Sequence, residues 1–275
     1  MKQQLSADNL TLAYDSKVII KDLHLEIPAG KISVFIGSNG CGKSTILRSL
    51  ARLLKPVAGT VYLDEKPVFS QKSKEIAKQL SILPQSPQAP EGVTVRQLVK
   101  QGRFPYQSVI RNKWSVQDEA AVEQALHATG VKPFEDQPVS SLSGGQRQRA
   151  WIAMTIAQQT PMILLDEPTT YLDMAHQVEV LDLLFKLNQQ EGRTIVMVLH
   201  DLNLACRYAD HLFAVKDQQV YCEGKPEDIM TPSLMKEVFG LDCEVYPDPI
   251  FGTPCFCPYG QGRMLSPGKV ARAMS

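Results

Sequence analysis

The stretch Ile32-Ser33-Val34-Phe35-Ile36-Gly37-Ser38-Asn39-Gly40-Cys41-Gly42-Lys43-Ser44-Thr45 decides how the rest of this chain reads. Ile32–Ile36 is an apolar run of strand length, as expected of a central parallel strand buried on both faces. Gly37–Ser44 matches G-x-x-x-x-G-K-[ST]. Lys43–Leu54 follows with Ile46, Leu47, Leu50, Leu53 and Leu54 at three-to-four spacing, which predicts a helix. Strand, glycine loop and helix in that order make a phosphate cradle. Glycines let the backbone bend around an anion and aim successive N–H groups at it, and the helix N-terminus adds its positive end. In such a loop Lys43 reaches the β- and γ-phosphates of a nucleotide and the Ser44 hydroxyl binds Mg²⁺. An incidental glycine turn would need neither flank.

On the N-terminal side, Leu10, Leu12 and Tyr14 alternate with Thr11 and Ala13, a half-buried strand. Val18–Ile20, then Leu23, Leu25 and Ile27, continue to the turn Pro28-Ala29-Gly30. Gly59–Val68 reads as a short strand pair. Leu80–Leu83, Met162–Leu165, Thr194–Leu199 and Leu212–Val215 are further apolar strands, with helical stretches at His176–Gln190 and Asp201–Tyr208. From Pro84 to about Pro138 helical segments are broken by Pro and Gly. There Ser115-x-x-Asp118 is a capping box and Gly130 can close the helix after it. Thr231-Pro232 opens a last helix and Gly240 ends it. Strands alternating with helices predict an α/β fold, a parallel sheet covered on both faces, with a mostly helical insertion. The tail from Leu241 carries Pro247, Pro249, Pro254 and Pro258, which predicts irregular chain or edge strands.

Composition narrows the function. The 275 residues hold 29 basic and 29 acidic side chains, and this zero net charge gives no support to a general nucleic-acid binder. With 44% hydrophobic residues the chain can bury a substantial core. No apolar stretch approaches the roughly 20 residues a spanning helix needs, and Met1 to Tyr14 lacks a signal-peptide core. The chain is therefore expected in the cytoplasm unless a partner holds it at a membrane. Of six cysteines only Cys255 and Cys257 are close, and one intervening residue is not zinc-site spacing. Reduced thiols engaged in packing are expected.

Two further motifs carry chemistry. Met162-Ile163-Leu164-Leu165-Asp166-Glu167 is an apolar strand ending in two carboxylates. Ligands gather at the carboxyl ends of parallel strands, so behind a phosphate loop these acids should face the nucleotide. Asp166 suits a Mg²⁺ role and Glu167 is placed to polarise an attacking water. Leu142-Ser143-Gly144-Gly145-Gln146, just ahead of the helix Arg147–Ala157, offers a second anion site from glycine amides and a helix N-terminus.

The combination resembles the nucleotide-binding subunits of ATP-binding-cassette (ABC) proteins, whose signature reads LSGGQ, over residues 5–240. The resemblance implies a P-loop NTPase core with a mixed, mostly parallel sheet, flanking helices and an antiparallel N-terminal β subdomain. A helical subdomain is inserted at about 86–160, and 241–275 form a C-terminal extension. Gly37, Ser38, Asn39, Gly40, Cys41, Gly42, Lys43, Ser44 and Thr45 then bind ATP, with Tyr14 stacking on adenine. Ser143, Gly144, Gly145 and Gln146 cap the ATP held by a second copy, which Asp173 also contacts. Ser44, Gln85 and Asp166 serve Mg²⁺, Glu167 is the base, and His200 holds the γ-phosphate. Glycine and cysteine in Gly40-Cys41-Gly42, the segment Gly102-Arg103-Phe104-Pro105-Tyr106, and Thr169–Gln177 resemble one branch, the importers of ferric siderophores, haem and cobalamin. Many other branches have small residues where Thr170 and Tyr171 stand. The tail phrase Asp248-Pro249 with Gly252-Thr253-Pro254 also looks like that branch.

The expected protein is thus the ATPase of an iron-chelate importer. Its partners would be a second copy, a polytopic permease and, indirectly, an extracytoplasmic binding protein, at the cytoplasmic face of the membrane. Haem or cobalamin is the alternative cargo, and a soluble ABC ATPase acting on ribosomes or nucleic acid is the alternative class. A kinase or GTPase leaves Leu142–Gln146 unexplained. Gln85–Trp114, mixing Val93, Val95, Leu98 and Val99 with Arg96, Lys100, Arg103 and Arg111, is expected to dock the permease.

Overall fold

The sheet that carries the phosphate loop is built from strands too apolar to face water on either side. In the computed structural model, which describes residues 4–107 and 114–261, β1 (Leu5–Tyr14) and β2 (Lys17–Ile27) precede β3 (Ile32–Ile36) and helix α1 (Lys43–Leu50). Next come β4 (Ala58–Leu63), β5 (Lys66–Pro67), α2 (Ser73–Ile76) and β6 (Leu80–Leu83). A helical body follows: α3 (Val95–Gln101), α4 (Val116–Ala128) and α5 (Gly144–Ala157). The chain then returns to the sheet through β7 (Met162–Asp166), α6 (Met174–Glu191), β8 (Thr194–Val198) and α7 (Leu202–Tyr208). It continues with β9 (His211–Lys216), β10 (Gln219–Gly224), α8 (Pro226–Ile229) and α9 (Pro232–Phe239) and ends in the hairpin β11 (Cys243–Pro247) and β12 (Pro254–Pro258).

The central sheet has the order β10-β9-β3-β8-β7-β6, parallel except for β10 at the edge. Side chains alternate across it with the two-residue period of a strand. Ile32, Val34, Ile36, Ile163, Leu165, Ile195, Met197, Leu212 and Ala214 join one core with α3–α7 and α9. Phe35, Met162, Leu164, Val196, Val198, Phe213 and Val215 join a second core under α1 and the antiparallel sheet β2-β1-β4-β5. Phe35 stacks on Phe213 with ring centroids 5.0 Å apart. Each large side chain buried here contributes about 1.5–3 kcal/mol. Neither face of the sheet can be uncovered without forfeiting one core.

Local chemistry places most helix ends. Ser115 and Asp118 form the expected capping box on α4, and Gly130 beyond it is left-handed. Thr231 caps α9 and Gly240 closes it. α1 is shorter than its spacing suggests. It stops at Leu50 because Arg52 turns left-handed and the N–H groups of Leu53 and Leu54 both fold back onto the Arg48 carbonyl, ahead of Pro56. β10 had no clear mark in the sequence. Its hairpin turn uses Asp217 and Gln218, both at positive φ, where glycine or asparagine usually signals the turn. The tail takes the edge-strand form: prolines sit at both ends of the β11–β12 ladder. All six cysteines are free thiols, and burial pushes the Cys206 thiol up to about 12. Residues 262–275 of the extension lie outside the described residues.

The residues expected to dock a permease turn inward. Val95, Leu98 and Val99 are fully buried in the helical body, and Val93 packs against the same core. Arg96 is ion-paired with Glu119, Glu123 and Glu135. Arg103, 5% exposed, meets Asp118 at 2.9 Å and the Ala157 carbonyl at 2.8 Å, joining the turn after α3 to α4 and α5. Periodic apolar residues on a short helix serve their own core first, so this mixture of types reflects internal packing. Phe104 does face outward, 75% exposed; Arg111 lies outside the described residues.

Removing one member of a buried ion pair leaves the other uncompensated. Arg103→Met should therefore lower unfolding stability by about 3–5 kcal/mol, read as a fall in urea midpoint.

Candidate nucleotide site

Four neighbouring parallel strands deliver the site. Phe35 pairs with Val198, Val198 with Asp166, and Leu165 with Leu83, so β3, β8, β7 and β6 end in one row. From those ends issue the Gly37–Gly42 loop, His200, the Asp166-Glu167 pair and Gln85. A parallel sheet gathers its loops at the carboxyl ends of its strands, which is where ligands bind.

The loop is held in shape by its glycines and by Lys43. Gly37 has a φ of +146°, and a Cβ there would lie 2.3 Å from the Val215 carbonyl oxygen. Gly42, at φ +111°, caps α1, and a Cβ there would lie 2.7 Å from Ile20 Cδ1. Lys43 Nζ donates to the Gly37 and Ser38 carbonyls at 2.8 and 2.9 Å, arching over the loop. The Ser44 hydroxyl donates to Asp166 Oδ1 at 2.7 Å, tying α1 to the end of β7.

The two adjacent carboxylates are set apart by their surroundings. Asp166 is 2% exposed, and burial pushes its carboxyl above the ordinary range against the Ser44 hydrogen bond. Burial also acts to raise Glu167, but hydrogen bonds from His200, Gln85 and Thr170 outweigh it and hold that carboxyl below the usual range. His200 Nε2 lies 2.7 Å from Glu167 Oε1. Glu167 has a φ of +54°, a left-handed backbone costing a non-glycine about 1 kcal/mol that its neighbours must hold in place. Ser44, Asp166 and Gln85 are hard oxygen donors, the set that suits Mg²⁺.

Asn39, Gly40, Gly42, Lys43, Ser44, Thr45, Gln85, Glu167 and His200 line one open pocket of about 440 Å³, together with Ile19. Ser38 and Cys41 line an adjoining cleft with Lys17, Val18 and Lys216. Ile19 borders both and had no motif to mark it. Tyr14, 39% exposed, lines neither; its ring lies 6.0 Å from the Arg48 guanidinium carbon. Ser143–Gln146 are outside the pocket too. Ser143 caps α5 in a capping box with Gln146, leaving Ser143 and Gly144 exposed. Asp173 caps α6 and accepts from the His176 N–H at 3.0 Å.

Because both its backbone angle and its surroundings exclude a side chain, Gly37→Ala should lose more than about 2 kcal/mol of stability and most nucleotide binding. Denaturant titration and equilibrium binding of a fluorescent ATP analogue measure the two losses.

Comparison with known proteins identifies the family. Residues 20–170 match the family model described as ABC transporter. The chain is 60% identical over 274 residues to the petrobactin import ATP-binding protein FpuD of Bacillus anthracis, covering 100% of both chains. It is 55% identical over 267 residues to the achromobactin transport ATP-binding protein CbrD of Dickeya dadantii (strain 3937), covering 97% of this chain and 99% of that one. Among solved structures, the dimeric bacterial ABC transporter cassette MJ0796 superposes with a TM-score of 0.73 at 29% identity, covering 80% of this chain and 98% of that one. The chain belongs to the ABC transporter family and is one of its transport ATPases.

Proposed function

We propose that this chain is the ATP-hydrolysing subunit of an importer for ferric siderophores, working as two copies beneath a membrane permease. The observation that carries the reading is the convergence of the phosphate loop, Gln85, Asp166, Glu167 and His200 at one row of strand ends, while Ser143–Gln146 stand outside the pocket there. A signature that does not line its own chain's pocket is available to that of a second copy. The cargo follows from the relatives, which are named for petrobactin import and achromobactin transport.

In this reading ATP lies between the Gly37–Thr45 loop of one copy and Ser143, Gly144, Gly145 and Gln146 of the other, with Tyr14 against the adenine and Asp173 at the interface. Lys43 leaves its loop carbonyls for the β- and γ-phosphates. Ser44, Asp166 and Gln85 would hold Mg²⁺, which would supply charge neutralisation to the phosphates. Glu167, kept ionised by its hydrogen-bond donors, takes a proton from the attacking water, and His200 holds the γ-phosphate in line. Positioning and charge stabilisation do most of the work. The ATP-binding domain spans 5–240, with the helical subdomain at about 86–160. No helix among the described residues is long and apolar enough to cross a membrane. The permease then holds the chain at the cytoplasmic face, and an extracytoplasmic binding protein delivers the cargo.

Glu167→Gln tests the reading in cells lacking the native chain. ATP binding should persist, while hydrolysis and uptake of radioactive iron as its siderophore complex should fall by about 10²–10⁴-fold. Wild-type hydrolysis would refute the base assignment. Normal iron uptake in cells without the chain would refute the cargo.

A further inference from the structure

Thr170, in the turn after β7, touches the group placed to act as base. Its hydroxyl donates to Glu167 Oε2 at 3.1 Å, while His200 Nε2 holds Oε1 at 2.7 Å. The turn that carries it is fixed at both ends. Gln148, buried on α5, donates from Nε2 to the Pro168 carbonyl at 3.1 Å. Gln177, on α6, donates to the Leu172 carbonyl at 3.0 Å. Within the turn, the Thr170 N–H bonds back to the Glu167 carbonyl and the Leu172 N–H to the Thr169 carbonyl, both at 3.3 Å. Glu167 and Tyr171 both take left-handed backbone, so the turn is over-determined by its contacts.

The three donors to Glu167 differ in their other tasks. On the function proposed above, His200 would turn to the γ-phosphate and Gln85 to the metal, each leaving the carboxylate. The Thr170 hydroxyl makes no other hydrogen bond among the described residues. We propose that Thr170 is a positioning residue for hydrolysis, its hydroxyl holding the Glu167 carboxylate towards the attacking water once His200 and Gln85 have turned to the nucleotide. This rests on Glu167 being the base. In the step itself, water gives a proton to Glu167 as its oxygen bonds to the γ-phosphorus. The bond from that phosphorus to the β–γ bridging oxygen breaks, and ADP leaves with the electron pair. Thr170 keeps its own proton throughout.

The test measures single-turnover hydrolysis by the full-length chain with Mg²⁺ and ATP. Thr170→Val keeps the shape and removes the hydroxyl; its rate should fall about tenfold with ATP affinity unchanged. Thr170→Ser should restore the rate, and Thr170→Ala, which makes no demand on packing, should repeat the Val result. A wild-type rate in both Thr170→Val and Thr170→Ala, or a Thr170→Ser as slow as they are, would overturn the proposal. Glu167→Gln measured alongside separates the causes. If it hydrolyses normally, the base assignment is wrong; if it is inactive while Thr170→Val is unimpaired, only the role of Thr170 falls.

Discussion

A parallel sheet buried on both faces leaves its chain only the strand ends for chemistry, and this molecule depends on that constraint. Alternate side chains of β3, β7, β8 and β9 feed two separate cores. The strands cannot slip by one residue without exchanging those cores. The fixed register therefore also fixes the row in which the phosphate loop, His200, Asp166-Glu167 and Gln85 emerge. Site geometry is a by-product of core packing.

Electrostatics then divides labour within that row. Asp166 and Glu167 are neighbours in sequence, yet burial raises one carboxyl and hydrogen-bond donors lower the other. A carboxylate beside the Ser44 hydroxyl suits a cation; an ionised carboxylate beside His200 and Thr170 suits a base. The left-handed backbone of Glu167 is held at a modest cost in strain.

Much of this was legible in the sequence because the relevant signals are local. Gly37–Ser44 needs its strand and helix, Ser115 and Asp118 cap within one turn, and the apolar runs of β3, β7 and β8 announce double burial. Where the outcome depends on tertiary contact, the sequence was silent or misleading. Val95, Leu98 and Val99 look the same whether they meet a permease or their own core, and the core holds them. Asp217-Gln218 turns without glycine, so β10 stayed hidden. Ile19 lines the pocket only because β2 passes beside it. Thr170 stood in a motif, but its hydrogen bond to Glu167 depends on a turn that Gln148 and Gln177 pin from other elements.

The central claim is that one chain holds two halves of different nucleotide sites, completed only by a second copy. Light scattering of purified Glu167→Gln with and without ATP and Mg²⁺ tests it most directly. The account predicts a molar mass that doubles on adding ATP and returns to the monomer value when Ser143→Arg is introduced as well. A mass that stays monomeric at saturating ATP, or a dimer indifferent to Ser143→Arg, would contradict it.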